Sequence, residues 1–264
     1  MAKIIFFQAH PDDLEFNCGH LMHFLSTKSK KKHVIKIASV TKGEFGLPGV
    51  IYDKFKGDFL AKVRERELEN AQSIHSIDKS NFHYFGYIDG LVYFTKEFVQ
   101  KITDYLKKER PDIIVGPEPI YTYYYHMDHV NTGRALFHII YKDLLGYKPK
   151  LYYYSALNPN TFFGFVARDI ALIKRLMACH KTQFWLMSNM MMAYKPLTMI
   201  AGLKLKGWKY AEGYRQVFFK KNNLKRNKPS LKTMIFSHFF SSLPFYEAKY
   251  PEAVLKELKA KKGN

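Results

Sequence analysis

Short apolar runs alternate with helical patterns over the first 155 residues, and this alternation constrains the fold more than any other feature of the chain. Lys3 to Ala9 is an apolar run that breaks at His10-Pro11; Val34 to Val40, Phe82 to Gly86 and Ile113 to Gly116 repeat the pattern. Between these runs apolar residues recur three and four apart: Leu21, Phe24 and Leu25, then the Glu-, Arg- and Leu-rich stretch Leu60 to Ile77, then Phe98, Ile102 and Tyr105 within Thr95 to Lys108. His129 to Leu145 reads as a further helix and Lys150 to Ala156 as an aromatic strand. Short strands separated by helices are the signature of βαβ units, because parallel neighbours need a crossover. The expected class is α/β, a mainly parallel sheet flanked by helices.

A chain of 264 residues is long enough for one or two domains, and no low-complexity linker divides it. Residues 1–220 are therefore expected to form one domain. From Lys220 to Lys232 the chain is strongly basic and then turns apolar from Met234 to Phe240, so residues 221–264 are read as a carboxy-terminal extension packed on that domain. With 47% hydrophobic residues the chain is not disordered. Cys18 and Cys179 are too few for a disulfide framework or a four-cysteine zinc module and suit a reducing compartment, so a cytoplasmic location is expected. The amino-terminal apolar run is too short for a signal-peptide core, and Trp185 to Leu203 is interrupted by Lys195 and Pro196, which argues against a membrane span. The net charge of +19 favours acidic partners: phosphate- or carboxylate-bearing molecules, nucleic acid or anionic lipid. No nucleic-acid module accompanies the charge, so nucleic acid is not the expected partner. The basic stretch beside Met234, Ile235 and Phe236 fits peripheral contact with the inner face of a membrane.

In an open α/β sheet, ligands bind beyond the carboxyl ends of the strands, where strand order reverses. The polar residues at those ends form a coherent set. The first strand ends in Ala9-His10-Pro11-Asp12-Asp13-Leu14-Glu15, the second in Thr41-Lys42-Gly43-Glu44 and the third in Asp89-Gly90; the loop after the fourth leads to His126-Met127-Asp128-His129. A catalytic zinc usually takes three nitrogen or oxygen ligands and keeps one position for water. His10 and Asp13 with a distant histidine would supply that set, and Asp12 would stand free as a carboxylate beside the water. His126 and His129, spaced i, i+3, share a helix face, so one can hold a metal while the other faces a substrate carbonyl. Asp128 can orient an imidazole by accepting its second N–H. Taken alone, His10, Asp12 and Asp13 also fit a loop in which an aspartate caps the next helix.

In their order and strand-end placement, Ala-His-Pro-Asp-Asp-x-Glu, Thr-x-Gly-Glu and His-x-Asp-His resemble the LmbE/PIG-L family of zinc-dependent deacetylases over roughly residues 3 to 220. The resemblance implies a Rossmann-like fold and a hydrolase that removes the acetyl group from an N-acetylglucosamine-type substrate. It also implies Zn2+ on His10, Asp13 and His129, with Asp12 as general base. His126 would stabilise the oxyanion or protonate the leaving amine. Arg64, with Glu67 and Ala71, fits the family's Arg-x-x-Glu-x-x-x-Ala helix, and Asp89 its Asp-Gly turn. Glu44, Arg64, Asp89 and Tyr124 are thus substrate-contact candidates. Glu44 also fits simple closure of the Gly43 turn, and Arg64 an ion pair on the helix surface. Glu15 is expected to orient or cap, Cys18 to pack, and His180 and Gln183 to match a family His-x-x-Gln segment. Met127 stands where the family often has proline. Other readings are an amidase of the same family on a non-sugar or thiol-conjugate amide, or a basic protein that binds nucleic acid or membrane without catalysis.

Overall fold

In β1 (Lys3–Gln8) successive side chains enter opposite cores: Ile5 and Phe7 one, Ile4 and Phe6 the other. A strand buried on both faces needs a layer on each side. The computed structural model, which describes residues 1–47, 50–120, 126–156 and 158–219, supplies both. On one side α1 (Asp13–His23) and α2 (Asp58–Ile74) contribute Leu14, Cys18, Met22 and Leu68. On the other, α3 (Lys96–Glu109) and α4 (Met127–Tyr141) contribute Phe98, Ile102, Leu106, Leu136 and Ile139. The expected extension over 221–264 lies outside the described residues, as does Tyr124.

β2 (Val34–Ser39), β3 (Phe82–Tyr84), β4 (Ile113–Pro117) and β5 (Lys150–Tyr154) run parallel to β1, with Phe6 paired to both Ile37 and Val115. Seven strands follow the order β3-β2-β1-β4-β5-β7-β6. The order therefore turns back between β1 and β4, and a crevice opens at their carboxyl ends. Two helices begin ahead of their sequence signals: α1 at Asp13, well before the Leu21, Phe24 and Leu25 pattern, and α4 at Met127 instead of His129.

β7 (Tyr210–Gln216) runs antiparallel to β5, and β6 (Thr161–Phe165) antiparallel to β7. The sheet is thus mixed at this edge, which the sequence pattern did not reveal. Between these strands α5 (Ile170–Ala178) and α6 (Phe184–Gly202) pack through Phe165, Ile173, Leu176, Tyr194 and Tyr210. Among the described residues no helix is long and apolar enough to cross a membrane.

The seat of α4 depends on one glycine. A Cβ at Gly133 would lie 2.3 Å from the Pro117 carbonyl oxygen and 2.8 Å from the Pro119 nitrogen, both backbone atoms. The Tyr153 hydroxyl donates to the Gly133 carbonyl at 2.9 Å, tying the same turn to β5. Gly133→Ala must therefore push α4, with His126 and His129, away from the end of β4. Overpacking of this kind typically costs about 1–3 kcal/mol. Urea unfolding should place the variant lower by that amount; an unchanged midpoint would mean that α4 has slack here.

Candidate metal centre

The turn after β1 separates two adjacent carboxylates. The amides of Asp12 and Asp13 both donate to the His10 carbonyl, at 2.8 and 3.3 Å, which closes a tight turn at Pro11. Asp13, the first residue of α1, folds back so that its Oδ2 accepts from the amides of Ala9 (2.8 Å) and His10 (3.0 Å). Its Oδ1 is left facing His129 Nε2 at 3.1 Å. Asp12 instead accepts on Oδ2 from the guanidinium of Arg64 at 2.6 Å.

His129 arrives from α4, 119 residues along the chain, and its Nε2 lies 3.1 Å from His10 Nδ1. His10 Nδ1 is 3.9 Å from Asp13 Oδ1, so the three atoms form a small triangle. The far side of the His10 ring is fixed: Nε2 lies 3.0 Å from Asp89 Oδ1 and 3.2 Å from Asp128 Oδ2. With both neighbours of Nε2 carboxylates, Nε2 is the donor nitrogen and Nδ1 is the one that faces the triangle. Asp128 is held in turn by the amides of Gly90 (2.7 Å) and Val92 (3.1 Å).

The charges are concentrated. Burial alone would lower the proton affinity of His10, but Asp89, Asp128 and Asp13 outweigh it and raise it well above the usual histidine range. A field that favours a proton at this ring favours a cation equally. Burial pushes the Asp13 carboxyl up, while His129 and His10 overcome it and hold the group well below the usual carboxylate range. Burial and the neighbouring His10 ring lower His126 to about 4. His126 caps α4, its Nδ1 accepting from the Asp128 amide at 3.3 Å, and its ring meets that of His10 edge-on with centroids 4.5 Å apart.

Zinc at its usual bond lengths of about 2.0–2.2 Å keeps tetrahedral ligand atoms roughly 3.3–3.6 Å apart. The edges of 3.1, 3.1 and 3.9 Å bracket that spacing, and a nitrogen, nitrogen and carboxylate set suits the ion. His10, Asp89, His126 and Asp128 form a second such group that shares His10. Its carboxylates already serve as acceptors for that ring and for the turn amides.

Two expectations about side-chain environment need correction. Asp12 does not stand free: its Oδ2 is paired with Arg64. Nor is Arg64 on the helix surface. It is 2% exposed, donating also to the Gly43 carbonyl at 3.0 Å, because Gly43 and Gly46 leave room where a Cβ would strike the guanidinium. Gly43 sits at φ +66°, a second reason for glycine there. Asp89 is buried, with Oδ2 accepting from the Phe45 amide at 3.2 Å. Glu44 bridges two loops, accepting from the amides of Lys42 (3.2 Å) and Asp89 (3.1 Å).

The segment after α5 is a tie that sequence reading flagged only through His180 and Gln183. Thr182 donates to Glu67 through its amide (2.8 Å) and hydroxyl (2.6 Å), and the Gln183 side chain donates to the Gly46 carbonyl at 3.0 Å. His180 Nε2 lies 3.5 Å from the buried Glu15 carboxylate, which also accepts from Gln72 at 2.8 Å. On the opposite wall Arg215 grips Glu118, just beyond β4, through two nitrogens.

A family profile described as PIG-L: GlcNAc-PI de-N-acetylase matches residues 5–140. A diacetylchitobiose deacetylase of Thermococcus kodakarensis is 25% identical over 235 residues, which cover 82% of this chain and 84% of that protein. Among solved structures, an N,N'-diacetylchitobiose deacetylase from Pyrococcus horikoshii superposes with a TM-score of 0.72 at 21% identity, covering 85% of this chain and 88% of its own. A 4-carboxy-2-hydroxymuconate hydratase from Pseudomonas putida superposes with a TM-score of 0.62 at 16% identity, covering 83% of this chain and 97% of its own. The fold thus carries more than one chemistry, and the reaction has to be argued from the site.

Proposed function

This chain belongs to the PIG-L family of GlcNAc-PI de-N-acetylases, whose profile spans more than half of it, and from that premise we propose that it is a zinc-dependent hydrolase removing the acetyl group from an N-acetylglucosamine-type amino sugar. The reading rests on one observation: His10 Nδ1, Asp13 Oδ1 and His129 Nε2 converge within 3.9 Å at the switch point of the sheet, with Asp12 beside them. These three residues would hold the ion. A zinc there supplies an acidified water and a Lewis acid for the acetyl carbonyl.

The chain's own groups do the rest. Asp12, steadied by Arg64, takes the proton of the attacking water, a general-base contribution of typically ~10²–10⁴-fold. His126 is positioned to donate a hydrogen bond to the carbonyl oxygen as it gains negative charge. Its low proton affinity leaves the ring neutral near pH 7, which favours this role over that of an acid. Asp89 and Asp128 fix the His10 ring so that its donor nitrogen stays aimed. Water adds to the carbonyl carbon, the C–N bond breaks, the proton held on Asp12 passes to the departing nitrogen, and acetate and a free amine result. Glu44, Arg64, Asp89 and Tyr124 are kept as substrate contacts in this reading, Tyr124 on sequence grounds alone.

The test is acetate release from N,N'-diacetylchitobiose and a panel of N-acetylglucosamine derivatives, with zinc or chelator. Release that stops on chelation is expected. Absence of acetate in every zinc-replete reaction would remove hydrolysis, and release confined to non-sugar amides would move the substrate class.

A further inference from the structure

We propose that the outer face of α6, with the loop that follows it, docks on an anionic phospholipid surface. The helix buries Tyr194 and Thr198 and turns its other side outward. There Met192 is 73% exposed, Ile200 55% and Leu203 85%, and the indole of Trp208 is also exposed. Pro196, Met199, Ile200, Leu203 and Trp208 line a shallow apolar groove to which Lys209 also contributes. Scattered exposed apolar residues are ordinary, but a contiguous patch of this kind marks an interaction surface.

Its rim identifies the partner. Lys195, Lys204, Lys206 and Lys209 are all exposed around the patch. From Ile170 to Ala211 the chain has seven lysines and arginines and no aspartate or glutamate. An apolar strip with a tryptophan, bordered by lysines of one sign, is the pattern of an element that lies in the headgroup plane. A second copy would set lysine against lysine. Residues 220–264, with eleven lysines and arginines against three glutamates, are basic too and complement the rim no better. Anionic lipid complements both charge and apolar strip. The inference stands apart from the deacetylase reading, since no residue in it touches the metal centre.

The test is co-sedimentation of the full chain with vesicles of phosphatidylcholine alone or of phosphatidylcholine and phosphatidylglycerol in equal parts. Pelleting with the mixed vesicles only, weakening as salt rises, is expected. Lys204→Glu/Lys206→Glu/Lys209→Glu should lower the partition constant on the order of 100-fold, taking about fivefold per lysine. Ile200→Glu/Leu203→Glu should lower it independently. Both variants replace exposed side chains, and an unchanged melting temperature confirms that they fold. No pelleting with the mixed vesicles overturns the proposal. So does equal pelleting of wild type and both variants, which would move the binding to residues 220–264, and so does a patch that holds two copies together without engaging vesicles.

Discussion

Asp12→Asn should leave the bound metal in place and lower the rate of acetate release by about 10²–10⁴-fold, whereas Asp13→Ala and His129→Ala should lose the metal itself. The two aspartates are neighbours in sequence, yet the turn gives them opposite tasks. Asp13 has one oxygen pinned by two backbone amides and the other set against His129, so its position is fixed before any ligand arrives. Removing it deletes one corner of the triangle, and the carboxylate that offsets a cation beside two imidazoles goes with it. Asp12 supplies no corner of that triangle, and its Oδ2 is held by Arg64. Asparagine in its place keeps the shape and an acceptor for the guanidinium but cannot take a proton from water. Metal content and turnover measured on the same three preparations separate the roles. Loss of metal from Asp12→Asn would make Asp12 a ligand and leave the general base unassigned.

Much of this site was legible because its signals are local. Pro11 ends β1, the Asp-Asp pair follows at once, and the His-x-Asp-His spacing lies at a helix start whatever the rest of the chain does. The α/β order then brings such strand ends to one crevice without any knowledge of side-chain contacts. What escaped was set by long-range partners. The periodicity of α2 places Arg64 next to Glu67 and Leu68 and cannot report that its guanidinium is buried. That outcome depends on Gly43, 21 residues away, and Asp12, 52 residues away. The antiparallel edge escaped for a related reason. β7 carries Glu212 on a buried position, which breaks the apolar alternation expected of a strand. The carboxylate is tolerated there because the amides of His20 and Leu21 and the Tyr214 hydroxyl all donate to it, and the two amides lie nearly 200 residues upstream. Likewise Glu67 is an ordinary helix residue in sequence and becomes an anchor only because Thr182 reaches it from after α5.

The buried pair of Arg64 and Asp12 yields the second large effect, on stability. Arg64→Met should destabilise the fold by about 3–5 kcal/mol, because breaking a buried ion pair leaves one charge uncompensated. Arg64→Lys should not restore it, since a lysine cannot reach Asp12 and the Gly43 carbonyl together as the planar fork does. Adding Asp12→Asn to Arg64→Met should recover most of the loss. The pH trend has a definite sign. Burial raises the proton affinity of Asp12 and Arg64 opposes that rise. Without the arginine the folded-state pKa of Asp12 climbs further above its unfolded value. A group whose folded pKa is raised contributes stability at low pH and loses it as pH climbs through that pKa. The deficit of Arg64→Met relative to wild type should therefore shrink as pH falls from neutrality into the range where the lone carboxyl takes up its proton. Urea unfolding across that range, in chelator so that metal release adds nothing to the trend, reads out both effects. A single variant and a double variant of equal stability, with a deficit flat in pH, would mean that Asp12 gains nothing from its partner, and Arg64 would then owe its burial to the Gly43 loop alone.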